Sequence, residues 1–213
     1  MNRRLLLAVL PLFGCGGTRP GPATASEPPA EQPLASFASV RLIVLPTQSL
    51  RSGDPMGWAS KAGGRSFLAQ IDSALEAAAR DRNLVTSWIL PGDLARTARR
   101  NPLYAVNPAD IRAGDAVRVL ERRRDENIPE PVASQLRTLA GFHDARYALI
   151  PAEVRFEPGG VTGSGRAVLR IAVLDVRGSR LAFIGDVLGT VGTDFTPAMG
   201  GELVQRFMAL VVP

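Results

Sequence analysis

The chain has 213 residues, 46% hydrophobic and 21% charged, with a formal net charge of +5. This is a globular composition, sized for one core, and it excludes a fibrous or wholly disordered protein. One cysteine and one histidine (His143) exclude a disulfide framework and the usual His/Cys metal set, although carboxylates could hold a hard cation. No metal or cofactor is therefore expected. Lys61 is the one lysine among 25 basic residues, and this arginine bias reads as GC-rich coding rather than nucleic-acid recognition. The run Arg122-Arg123-Arg124 is flanked by Glu121, Asp125 and Glu126, which reads as a solvated helix face and implies no nucleic-acid partner.

The first segment, "RRLLLAVLPLFGCGG", joins a positive start at Arg3 and Arg4 to a short apolar run over 5–13. That run is too short to span a bilayer, which takes about 20 apolar residues, and it reads as a secretion signal over 1–14. Leu12-Phe13-Gly14-Cys15 resembles the lipobox of bacterial lipoproteins, which implies lipid attachment at Cys15 and cleavage just before it. Phe13 departs from that pattern, and the alternative is an ordinary secretory signal cut elsewhere. Gly16 follows the cysteine where lipoproteins held at the inner membrane often carry Asp, which implies the outer membrane, facing the periplasm. Residues 15–38, rich in Pro, Gly, Ala and Ser, hold too little apolar surface to repay ordering and read as a disordered tether with a reach of roughly 25 Å.

A domain over 39–213 follows. It opens with "VRLIVLP", a buried strand ended by Pro46. After a long Gly/Ser/Pro loop, Ser66 can cap a helix over 66–82, with Phe67, Leu68, Ile71, Leu75 and Ala78 at helical spacing and Asn83 as a left-handed stop. Residues 84–90 read as a second strand, and Pro91 suits the first turn of a short helix to Arg100. The more polar stretch 101–131 reads as a helical insertion, with Asn107 as cap, Pro108 at the first helical position, and Ile111, Val117 and Leu120 as its apolar stripe. A helix over 131–141 and three extended runs, 145–157, 166–176 and 181–191, come next. In the first run Ala148, Ile150, Ala152, Val154 and Phe156 are placed on one face, with Glu153 and Arg155 on the other. Arg177-Gly178-Ser179 reads as a hairpin turn and 159–165 as a longer one, so the three runs form an antiparallel meander. Thr196 and Pro197 start a last helix carrying Met199, Leu203, Phe207 and Leu210. The fold class is α/β: one domain, a mixed sheet of about five strands, and helices packed on it.

Catalytic signatures fail on inspection. "GWASKAGGRS" lacks the Gly-Lys-Ser/Thr ending of a phosphate loop and reads as a mobile surface loop. Ser164 in "VTGSGRA" sits in a hairpin rather than at a strand-to-helix elbow. His143 ends a helix, where a capping or surface role is commoner, and Asp175 and Asp186 are placed to pair with Arg177 or Arg180 across the hairpin. Trp88 lies in an apolar stretch and reads as core. Trp58, with Met56 and Lys61 in the long loop, is either an exposed anchor for a partner or packed against the domain.

The strand "VRLIVLP", the helix "SFLAQIDSALEAAARDRNLVTSW", the segment "LAGFHDARYALIPAEVRF" and the hairpin "AVLRIAVLDVRGSRLAFIGDVLGT" together resemble a known periplasmic α/β domain. It is shared by the curli secretion channel lipoprotein and the lipoprotein activator of penicillin-binding proteins, and the amino-terminal domain of the Tol-system periplasmic protein is similar. Gly141 and Asp144 match its Gly-x-x-Asp-x-hydrophobic run, and Phe183 stands where an aromatic follows the hairpin turn. The resemblance implies a non-enzymatic envelope protein that binds another envelope protein, serving cell-wall or outer-membrane machinery. A homo-oligomeric secretion component of the same fold is the alternative, and a periplasmic hydrolase using His143 and carboxylates is a further one. The 101–131 stretch is too charged for lipid, which favours an accessory role over a pore.

Overall fold

The computed structural model describes residues 32–212. The signal segment, Cys15 and residues 16–31 of the tether lie outside the described residues; the expected disorder is corrected for 32–38, where Leu34 is buried in the core and Ala35–Phe37 form a 3-10 turn. The chain builds a five-stranded sheet in the order β2-β1-β3-β4-β5. Strands β1 (Leu42–Val44), β2 (Trp88–Ile89) and β3 (Tyr147–Pro158) run parallel. Strands β4 (Gly165–Asp175) and β5 (Arg180–Leu188) complete an antiparallel meander with β3. The α/β class, the mixed sheet and its meander are thus those read from the sequence.

Helices cover both faces of the sheet. On one face, α2 (Arg65–Asp81) and α6 (Ala198–Ala209) bury Phe67, Ile71, Leu75, Leu203 and Phe207 against Leu42, Val44, Leu149 and Leu169. On the other, α3 (Pro91–Arg100), α4 (Ala113–Arg122) and α5 (Val132–Phe142) bury Leu94, Val117, Leu120, Leu136 and Leu139 against Ile43, Ile150 and Leu174. Each fully buried Leu, Ile or Phe is worth about 1.5–3 kcal/mol of transfer free energy. The α4 stripe is short, but Ala113 and Ala116 extend it, and the segment 111–120 forms an integral layer of this second core.

Several local expectations need correction. Residues 84–90 do not form one strand: a 3-10 turn occupies Leu84–Thr86 and only Trp88–Ile89 pair in the sheet. Ser66 does not cap α2; its hydroxyl donates to the Gly63 carbonyl, and the helix starts after Gly64. The loop "GWASKAGGRS" contains a short helix, α1 (Trp58–Ala62). In β3 the alternation does not run through the strand, because the register shifts between Pro151 and Glu153. Such a bulge inserts a residue and reverses which side chains face each layer. Ala148, Ile150 and Ala152 therefore belong to the α3–α5 side, whereas Val154 and Phe156 belong to the α2/α6 side. Asn83 does adopt the left-handed conformation, with φ 56°, and Asn107 caps the turn that follows it by accepting from the Ala109 amide.

Candidate binding site

At the end of the sheet toward which β1 and β3 run, three loops converge. The loop after β1 follows the end of β3 through Leu50, which bridges to Val154, and the Arg51 amide donates to the Val154 carbonyl at 2.8 Å. The β3–β4 hairpin loop and the segment after β5 are joined where Gly165 and Gly192 exchange two backbone hydrogen bonds of 2.8 Å. Asp54 orders the first loop: its Oδ1 accepts from the amides of Met56 and Trp58, and its Oδ2 from Ala59 at 2.8 Å. One carboxylate thereby satisfies the free donors that open α1.

That order turns Trp58 inward. Its ring meets Phe156 edge-on at 5.8 Å, and Phe156 and Phe67 each meet Phe195 edge-on, at 5.7 and 5.5 Å. Gly165 permits the approach, since a Cβ there would lie 2.8 Å from Met56 Sδ and 3.0 Å from Trp58 Cη2. Edge-to-face pairs of this kind add about 0.5–1.5 kcal/mol beyond their burial. Trp58 is only 2% exposed, so of the two readings the packed one holds and it is not a projecting anchor.

Beside this aromatic cluster opens a cavity of about 540 Å³, walled by Met56, Trp58, Lys61, Pro158, Val161 and Asp194 among others, with Trp58 the one ring of the cluster in its lining. The three residues singled out in the sequence, Met56, Trp58 and Lys61, thus share one site, with Trp58 as part of its wall. Lys61 Nζ sits 2.7 Å from Asp194 Oδ1, and both side chains are mostly exposed. This hydrogen bond, with that from the Phe195 amide, holds the Asp194 carboxyl below its usual range. Ser164 donates to the Val161 carbonyl at 2.7 Å, so its hydroxyl closes the hairpin instead of facing a base. The sequence reading missed Val161, which is 72% exposed at the rim; its only signal was an apolar residue in a loop otherwise built of small and polar ones.

The other groups weighed for chemistry are dispersed. His143 Nε2 lies 3.0 Å from Thr97 Oγ1, while its carbonyl accepts from Arg41 at 2.6 Å. Burial and then the Arg41 charge push its pKa down. Asp175 pairs chiefly with Arg146 at 2.8 Å and only distantly with Arg180 at 3.8 Å; Arg177 turns to Asp144 instead. Asp186 is held at 2.7 Å by Arg155 and 2.8 Å by Arg170. The expected Asp175–Arg180 pairing is thus present but secondary to Arg146, and the expectation for Asp186 and Arg177 is corrected, because Arg155 and Arg170 lie closer to Asp186 and Asp144 takes Arg177. Burial opposes the Asp186 charge, but the two guanidiniums hold its carboxyl far below the carboxylate range. Arg123 of the basic run pairs with Glu126 at 2.7 Å.

Among the described residues no cluster of His, Cys, Asp or Glu is arranged to hold a metal, and no helix is long and apolar enough to cross a membrane. No family model and no curated protein matches the chain. Among solved structures it is similar to a dodecameric PelC variant from Paraburkholderia phytofirmans, at 12% identity and a TM-score of 0.36, over 83% of this chain and 91% of that one. It is also similar to E. coli LpoB in an NMR structure, at 14% identity and a TM-score of 0.35, over 90% of this chain and 87% of that one.

Proposed function

We propose that the protein is a non-catalytic accessory factor of the bacterial cell envelope, held at the outer membrane by lipid on Cys15, which binds another envelope protein at the loop-end cavity. The observation that carries the reading is the cavity's construction: Trp58 fixed in its wall by Phe156, Met56 and Val161 beside it, and the exposed Lys61–Asp194 ion pair. An apolar depression with a polar edge is how partner side chains are anchored in protein interfaces. Dispersal of His143, Asp175 and Asp186 to other parts of the fold favours binding over hydrolysis. Membrane attachment is supported by the basic and apolar segment that ends in Cys15, and the outer rather than the inner membrane by the Gly16 that follows. The test is photo-crosslinking in native envelopes from a photoreactive residue at position 161 or 61. One reproducible protein adduct supports the reading, and its absence from both positions counts against it.

A homo-oligomeric assembly is the second reading, favoured by one observation: β5 is a nine-residue strand at the sheet edge. An unpaired edge of that length is a template for strand addition by another copy. Mass measurement in solution separates the two, since the accessory reading predicts a monomer.

A further inference from the structure

We infer that the opposite end of the sheet, where β1, β2 and β3 begin, is a lipid-facing surface that rests on an anionic bilayer. The inference extends the anchored reading above by assigning the face that meets the membrane. The chain enters the domain at this end: the Leu34 amide donates to the Leu210 carbonyl at the end of α6, and Phe37 stacks edge-on with Tyr147, the first residue of β3. The described chain thus begins at this end, at Gln32, 17 residues after Cys15.

The chemistry of the surface fits a bilayer. Arg41, Arg99 and Arg100 are exposed, and among the described residues they make no ion pair. Arg41 is fixed here by its bond to His143, and α3 brings Arg99 and Arg100 to the same end through the Thr97 contact with His143. Arg146 and Arg177 add two more cations, but these are neutralised by Asp175 and Asp144. Directly after α3, Leu103 is 88% exposed and Tyr104 74% exposed, and Phe142, beside His143, is 44% exposed. Large apolar and aromatic side chains standing free beside unpaired arginines match a headgroup boundary, where rings take the interface and cations meet lipid phosphates. An acidic protein would satisfy the arginines too, but the chain's entry point at this end favours the bilayer.

The test uses the full-length chain with Cys15→Ser, which removes the one thiol and with it the lipid attachment, so its outcome does not depend on lipidation. An environment-sensitive dye is placed on Tyr104→Cys, or on Val161→Cys at the far end, and vesicles of phosphatidylglycerol and phosphatidylcholine are added. A blue shift at position 104 and none at 161 is expected. Arg99→Gln with Arg100→Gln should raise the vesicle concentration needed by roughly 20-fold or more, at about fivefold for each arginine near a charged surface. Salt at about 0.5 M should weaken binding as well. A shift of equal size at both positions, no shift at 104, or no effect of the arginine pair would overturn the inference. So would a shift at 104 with polyglutamate but none with vesicles, which would assign the face to an acidic protein. Whether Cys15 carries lipid is read separately, from the mass of the natively processed protein.

Discussion

The two ends of the sheet solve different problems with different residues. At the loop end, one carboxylate and four aromatic rings fix three loops, and the exposed Lys61–Asp194 ion pair borders the cavity beside them. At the strand-start end Leu103, Tyr104 and Phe142 stand outside the core, beside arginines that pair with no described carboxylate. The contrast teaches that burial, not residue type, separates architecture from recognition here: Trp58 is structural and Leu103 is free.

Removing a ring of the aromatic cluster should have the largest effect. Phe156→Ala, which deletes contacts to Trp58, Phe67 and Phe195, is expected to cost about 3–5 kcal/mol in urea unfolding. Val161→Ser, at the rim of the adjoining cavity, should change stability by no more than about 0.5 kcal/mol while weakening partner capture. If both variants unfold the protein equally, rim and cluster are not distinct.

Next in size is Asp186→Asn. It leaves Arg155, 8% exposed, and Arg170 without their shared carboxylate. Because Asp186 is itself partly open to solvent, the expected cost is about 2–3 kcal/mol rather than the full value of a broken buried pair. The pH dependence follows from the same groups. The folded-state pKa values of Asp175, Asp186 and Glu202 are lowered, so their contribution is present above the ordinary carboxylate range near pH 4 and is lost as pH falls below it. Asp72 works the other way: burial raises its pKa, against hydrogen bonds from Thr47. Its contribution is present below the ordinary range and fades as pH rises through the raised value. Glu130 and Asp194, both at the surface, are lowered as well; with five carboxyls against one, thermal unfolding should show a net loss of stability on acidification below about pH 4. A flat profile there would show that the arginine network contributes little.

Smallest of all should be Arg99→Gln, expected to move the unfolding midpoint by no more than about 0.5 kcal/mol, because Arg99 is exposed and pairs with no described residue. A larger loss would make the basic end architectural, like the loop end.

Much of this fold could be read from the sequence where a local pattern matched one element. Helix α2, its Asn83 stop, Pro91 at the start of α3, and the three long strands are of that kind. The failures are nonlocal. The bulge after Pro151 leaves no composition signal, so Val154 and Phe156 were placed on the wrong layer. Residues 84–90 are apolar but for Thr86 and Ser87, and over so short a run periodicity could not tell that the first half turns. Trp58 lies among glycines that suggest exposure, yet its burial depends on Phe156 and Gly165, both about 100 positions away. For the site, Met56, Trp58 and Lys61 were found together, but Val161 and Asp194 come from distant loops that only the folded sheet brings near.

The division of labour between the two ends is tested most directly by one paired experiment. A photoreactive residue is placed at position 161 or at position 103 of the otherwise native protein, and both are activated in intact envelopes. The structure predicts a discrete protein adduct from 161 and lipid adducts from 103. Protein adducts from 103 with none from 161 would reverse the assignment and contradict it.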